Sequence, residues 1–247
     1  MIENKFIDRL KKIKQLTSKW GIYQHGELDK FNPEFGYAIE DQARALLVAE
    51  AFGEENLINI YFEFMIKALD KNGKIYQYYY DKENGIEPDI TKECSEDGLG
   101  MVAWALLESK ITNQKKDIIL NIILERAKGW KYLRSMAYLI LGLTESKENK
   151  LEDRLVNKLL KSFKEEGDWR WFENKLTYGN AAIPWALWKR GRVRNDKKSL
   201  EIAKKATNFL LEKYMKNGVP QPVAVNGLNK NEKKRQDYDQ QPIEAGY

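Results

Sequence analysis

The feature that most limits what this chain can fold into is a set of helical runs with almost no polar side. Residues 43–52 read Ala-Arg-Ala-Leu-Leu-Val-Ala-Glu-Ala-Phe, and residues 101–107 read Met-Val-Ala-Trp-Ala-Leu-Leu. Residues 136–143 are Met-Ala-Tyr-Leu-Ile-Leu-Gly-Leu, and residues 181–188 are Ala-Ala-Ile-Pro-Trp-Ala-Leu-Trp. A helix that is apolar all round has to be covered on every side. Pro184 falls in the first turn of its run, where a missing N–H is tolerated. Residues 241–247 would begin a fifth buried run.

Amphipathic helices alternate with these runs. Ile2, Phe6, Leu10 and Ile13 recur at helical spacing with lysines between them, and residues 57–69 and 118–130 are further helices. Leu151, Leu155, Leu159 and Phe163 form an apolar stripe opposite Lys158, Lys161 and Lys164; Leu200, Ala203, Ala206, Phe209 and Leu210 form another. Outer amphipathic helices alternating with inner apolar ones follow the logic of a helical-hairpin array that closes on itself. The expected fold class is therefore all-α, an (α/α)6 toroid-like helical-hairpin barrel, with residues 1–247 as one domain. Nine helices and the start of a tenth can be counted, fewer than six hairpins need, so the barrel is expected to be incomplete at its C-terminus. Only residues 74–80, Lys-Ile-Tyr-Gln-Tyr-Tyr-Tyr, look extended, as a loop or short hairpin.

Composition removes several classes of chemistry. The 43% hydrophobic content of 247 residues can supply a real core, and the 42 basic and 37 acidic residues are interleaved, which fits a solvated surface better than a nucleic-acid groove. The lone Cys94 cannot form an intrachain disulfide, so a reducing, cytoplasmic setting is expected. Cys94 itself reads as a small buried residue. One histidine, His25, and one cysteine argue against a zinc site and against any mechanism that needs two histidines. No phosphate-cradling glycine loop, dinucleotide fingerprint or membrane-length apolar run is present, so no metal, cofactor or membrane partner is expected. Carboxylate chemistry remains as the main enzymatic option.

The acids and amides cluster just before the apolar runs. Glu40 and Asp41 precede the first, with Arg44 one turn on, and Glu96 and Asp97 precede the second. Either pair alone could simply complement a helix dipole, but the repetition at equivalent places suggests that carboxylates face a shared cavity. Asp168-Trp169-Arg170-Trp171-Phe172-Glu173 puts three rings and two acids in one loop, and Asn180, Gln240 and Gln241 are amides at inner-helix starts. Aromatic faces beside acids and amides suit a sugar, which offers C–H faces for stacking and hydroxyls for hydrogen bonds. The same rings could equally plug the end of a barrel.

Taken together these motifs resemble the helical domain found alone or C-terminal to glycosyltransferases in bacteria and archaea, which is related to six-hairpin glycosidases. The segments that carry the resemblance are Gly36-Tyr37-Ala38-Ile39-Glu40-Asp41-Gln42-Ala43-Arg44, Ser95-Glu96-Asp97-Gly98-Leu99-Gly100, residues 169–181, and Asp239-Gln240-Gln241-Pro242-Ile243-Glu244-Ala245. The sequence departs from the family pattern at Gly179, where aspartate is usual, at Glu40 and Gln42, which replace aspartate and asparagine, and at Leu99 and Met101, where polar or basic residues are common.

The resemblance implies a carbohydrate ligand bound at the loop-bearing end, and a glycoside hydrolase if the protein is an enzyme. Hydrolysis needs one carboxyl to protonate the leaving oxygen and another to activate water, about 6.5–9.5 Å apart in inverting enzymes. The candidates are Asp41, Asp97, Glu173 and Glu244, with Tyr37, Glu40, Arg44, Glu96, Trp169, Trp171, Tyr178, Asn180, Asp239, Gln240 and Gln241 as substrate contacts. Two alternatives stand beside it: a non-catalytic sugar-binding module working with a glycosyltransferase, and a helical-repeat scaffold for protein partners. An epimerase is disfavoured by the single histidine.

Overall fold

A computed structural model describes residues 10–27, 30–146, 150–224, 226–232 and 238–240. Its contacts divide the chain into two compact units, Met1–Trp130 and Lys131–Tyr247. Each is described by itself.

The first unit is built on two helical hairpins. Residues 10–16 are helical. Helix α1 (Ile39–Phe52) turns at Gly53, left-handed at φ 66°, into α2 (Glu55–Ala68). Helix α3 (Glu96–Glu108) is followed by α4 (Gln114–Ala127), whose N-cap Asn113 accepts from Lys115 N. Helix α1 packs on both α2 and α3, and α3 on α4. The apolar reading of residues 101–107 holds, since every residue from Gly98 to Leu106 is buried. Leu46, Tyr61, Phe64, Ile119 and Ile123 complete this core.

The second unit repeats the plan. Helix α5 (Leu133–Leu143), buried from Ser135 onward, packs on α6 (Lys150–Ser162) and α7 (Ala182–Arg194), and α7 packs on α8 (Lys197–Tyr214). The α7 run departs from the sequence expectation. Its residues Ile183, Ala186 and Leu187 are buried, yet Trp185 is 36% and Trp188 52% exposed, so this helix has an outer face.

The all-α expectation is overturned. Of the described residues 55% are helical and 16% lie in strands or bridges, in several small antiparallel sheets, so the chain is mixed α/β and not an all-α toroid. In the first unit β1 (Gly26–Glu27) pairs with β2 (Lys30–Phe31), and β3 (Tyr37–Ala38), β4 (Tyr78–Lys82) and β5 (Gly85–Pro88) form a three-stranded sheet in that order. In the second, β6 (Lys164–Glu166) pairs with β7 (Trp169–Trp171), β8 (Lys175–Leu176) with β11 (Leu228–Asn229), and β9 (Met215–Lys216) with β10 (Val219–Pro220). The physical reason lies in the aromatic pre-helix segments. Extended backbone sends alternate side chains to opposite faces, so Tyr79 (1% exposed), Trp169 (6%) and Trp171 (1%) reach the core from segments too short to show a period. The expected helix start at residues 241–247 lies outside the described residues. Among the described residues no helix is long and apolar enough to cross a membrane.

Candidate functional site

In the first unit a residue that neither motif contains links Glu40 to Ser95, the cap just before the second acidic pair. The Gln77 backbone accepts from Ile39 N at 3.1 Å, which fixes it at the start of α1. Its side-chain Nε2 donates to Glu40 Oε2 at 3.0 Å, and its Oε1 accepts from Ser95 N at 3.2 Å. One buried amide therefore ties the first turn of α1 to the N-cap of α3. Ser95 Oγ in turn accepts from Gly98 N at 3.1 Å, which starts α3 with Glu96 and Asp97 in its first turn.

Arg44, one turn into α1, places Nη1 2.8 Å from Asp41 Oδ1 and 3.7 Å from Glu40 Oε1. The side chains of Glu40, Asp41 and Arg44 remain about one-third exposed. Loss of hydration pushes the Asp41 carboxyl above its ordinary range; Glu40 adds to this, while Arg44 and His25 oppose it. A carboxyl raised above its ordinary range is one that can serve as a general acid. Among the described residues no three His, Cys, Asp or Glu side chains gather as a metal site requires.

The rest of the first motif is occupied by the fold. Gln42 is fully buried, accepts from Ile22 N at 2.8 Å and donates to Ile22 O at 2.7 Å, which clamps the preceding segment onto α1. Tyr37, fully buried, donates to Asp81 Oδ1 at 2.8 Å and bonds Ser18 Oγ at 2.8 Å. Tyr23 stacks between Tyr37 and Phe31, at 4.6 and 4.9 Å, and donates to Asp81 Oδ2. The expectation that Tyr37 contacts substrate is therefore corrected: its ring and hydroxyl are both engaged. Burial pushes the Cys94 thiol far up, and Cys94 is a core residue as expected.

The second unit corrects three further expectations. Trp169 donates Nε1 to Glu173 O at 2.8 Å and meets Phe209 edge-on at 5.1 Å. Trp171 lies between Phe172 and Phe209 and is 1% exposed, so neither indole offers a face to a ligand. Asn180, 3% exposed, accepts from Thr177 N at 3.1 Å and donates to Tyr214 Oη at 2.8 Å; it anchors the turn before α7 to the end of α8. Tyr178 remains 43% exposed, with the Arg134 guanidinium 3.8 Å from its ring centroid. Arg134 also donates to Tyr178 O at 2.7 Å.

Of the catalytic candidates, Asp41 and Asp97 belong to the first unit and Glu173, an exposed side chain, to the second. Asp239 has a left-handed backbone (φ 60°) and Gln240 forms a bridge with Ala224. Gln241 and Glu244 lie outside the described residues. Sequence reasoning missed Gln77 and Arg134. The one signal for Gln77 was its place in a tyrosine-rich extended stretch; nothing marked Arg134.

The chain matches no protein-family model and no curated protein sequence.

Proposed function

We propose that this is a carbohydrate-active protein that binds a glycan at the acidic end of the first unit, where α1 and α3 begin, and cleaves a glycosidic bond there with two carboxylates. The observation that carries the reading is the Asp41 carboxyl. It is part exposed, held above its ordinary pKa range, and set in a network that runs through Glu40 and Gln77 to the Ser95 turn. In this role protonated Asp41 gives its proton to the leaving oxygen, and Asp97 takes one from the attacking water. Glu40, Glu96 and Arg44 hold the sugar hydroxyls. The likeness of the motif order to helical domains that accompany glycosyltransferases supports a sugar as ligand and a glycosyltransferase as working partner.

One observation favours a second reading, a sugar-binding accessory module without turnover. Arg44 Nη1 sits 2.8 Å from Asp41 Oδ1, and a guanidinium there favours the charged carboxylate. A glycan array on the intact protein, followed by product analysis on each hit, separates the two. Hydrolysis of a bound glycan, abolished in Asp41→Asn with binding retained, supports the enzyme. Binding without products supports the accessory module. An array with no hits refutes both and leaves the interaction scaffold.

A further inference from the structure

Gln77 is the hub of the acidic end of the first unit, yet it carries no charge. It is 7% exposed, and its backbone is pinned on both sides: its N donates to Lys92 O at 2.9 Å, and its O accepts from Ile39 N at 3.1 Å. The side chain then spans two helix starts, with Nε2 3.0 Å from Glu40 Oε2 and Oε1 3.2 Å from Ser95 N.

The orientation of this amide follows from its partners. Ser95 N can only donate, so the end that meets it has to be the carbonyl oxygen, and the NH2 is left to face Glu40. Turning the amide over would set two donors against each other at Ser95 and leave both contacts unmade. Glu40 is thereby held as an acceptor, and a donor aimed at a carboxylate favours its charged form. Arg44 serves both acids, with Nη1 2.8 Å from Asp41 Oδ1 and 3.7 Å from Glu40 Oε1. Its contact with Asp41 is at Oδ1; Oδ2 makes no hydrogen bond among the described residues, so it can carry a proton with that contact intact. Two carboxylates that share one cation disfavour each other's charge, and the fixed amide decides which of them gives way.

We propose that Gln77 is a positioning residue of this site: by holding Glu40 as the charged acceptor, it leaves Asp41 as the member of the pair that carries the proton for the leaving oxygen. This role rests on the glycosidase reading of the acidic end. The raised Asp41 carboxyl agrees with it: loss of hydration is the main cause, and Glu40 adds to it against Arg44 and His25. The charged and titratable groups around the pair are Arg44 of α1, His25 just before β1 and Cys94 just before α3, and the first turn of α3 adds Glu96 and Asp97.

The test is a carboxyl-carbon NMR titration of the full chain without any glycan, in which the Asp41 signal is the one lost in Asp41→Asn. Removing the donor lets Glu40 take a share of the proton, so Gln77→Met should lower the Asp41 midpoint by about half a pH unit. Glu40→Gln should lower it at least as far, since the neighbouring charge is gone. Added to Glu40→Gln, Gln77→Met should lower it no further, because Gln77 acts through Glu40. An amide with a purely structural role would loosen the site and lower the midpoint in both backgrounds alike. Gln77→Asn keeps an amide but is a methylene short of spanning Glu40 and Ser95 N; it should act as Gln77→Met does, and it carries the test if the methionine variant fails to fold. The role is overturned if replacing Gln77 leaves the Asp41 midpoint where it was, raises it, or lowers it equally in Glu40→Gln. Because no glycan enters the titration, an empty glycan array would remove the glycosidase reading and leave the proton placement standing, whereas an unmoved midpoint would remove the role of Gln77 and leave glycan binding untouched.

Discussion

Glu152 is a buried carboxylate on which two arginines of the second unit converge, and its removal should be costly. It is 1% exposed, accepts from Thr144 Oγ1 at 3.0 Å, and lies 3.0 Å from Arg190 Nε and 3.3 Å from Arg194 Nη2. Breaking a buried ion pair from one side leaves the other charge desolvated, a cost of about 3–5 kcal/mol. The lower end applies to Glu152→Ala for two reasons. Arg190 keeps Asp153 at 2.9 Å and Arg194 keeps Ser146 O at 2.7 Å. Arg190 Nε, although at ion-pair distance, makes no well-angled hydrogen bond among the described residues, so the existing pair is not at full strength. The expected loss is therefore about 3 kcal/mol. In urea denaturation of the full chain, with an m value of about 2 kcal/mol/M, the midpoint should move down by about 1.5 M. Asp153→Ala removes the exposed partner of the same Arg190 and should cost about 0.5 kcal/mol. Equal shifts in the two variants would refute the reasoning.

Three other substitutions have definite expected outcomes. Because the Asp41 carboxyl is raised above its ordinary 3.8, the folded chain keeps a proton that the unfolded chain has released, and stability falls as pH rises from 3.8 through the folded value. Asp41→Asn should therefore unfold at higher urea than the parent at neutral pH, with the gap closing in acid; a less stable variant at neutral pH would refute the shift. Gly179 has φ +61°, and a Cβ there would lie 2.9 Å from both Arg134 Cδ and Tyr138 Oη. Gly179→Asp, the residue usual in the resembling family, should lower stability by about 2 kcal/mol and loosen Arg134 from Tyr178, measured by urea denaturation. Asp196 caps α8, accepting from Lys198 N and Ser199 N, and Asp196→Ala should cost about 1 kcal/mol. Burial pushes this carboxyl up, but the Ser199 and Lys198 donors and Arg190 outweigh it and hold it low. The penalty should accordingly be full above the ordinary carboxylate range and fade as pH falls through the folded value.

Most helices are legible in the sequence because their apolar spacing is long enough to repeat. Residues 43–52 and 101–107 fall inside α1 and α3, and the Leu151, Leu155, Leu159 stripe marks α6. The strands are not legible, because segments of two to five residues cannot establish an alternation and their pairing is set by tertiary contact. Trp185 and Trp188 mislead for a different reason: an apolar run implies burial only where partners cover every side, and α7 packs against α5 and α8. Rings mark a ligand site only if a face stays open. At Trp169 and Trp171 Phe209 takes up ring contact, which no spacing within residues 168–173 could disclose.

The acids of the first unit are not explained by helix capping. In α3 the cap is Ser95 Oγ on Gly98 N, so Glu96 and Asp97 are not required for it. In α1 the N-cap is Ala38, with no side-chain bond, and Glu40 is held from outside the helix by Gln77. Each acid's benefit from the helix dipole is about 0.3–2 kcal/mol at such exposure, and Glu40 pushes the Asp41 carboxyl further up. Arg44, 2.8 Å from Asp41, offsets part of that push. The proposed glycan site asks for this combination: a carboxyl whose charged form is disfavoured, on a part-exposed helix start tied to the Ser95 turn.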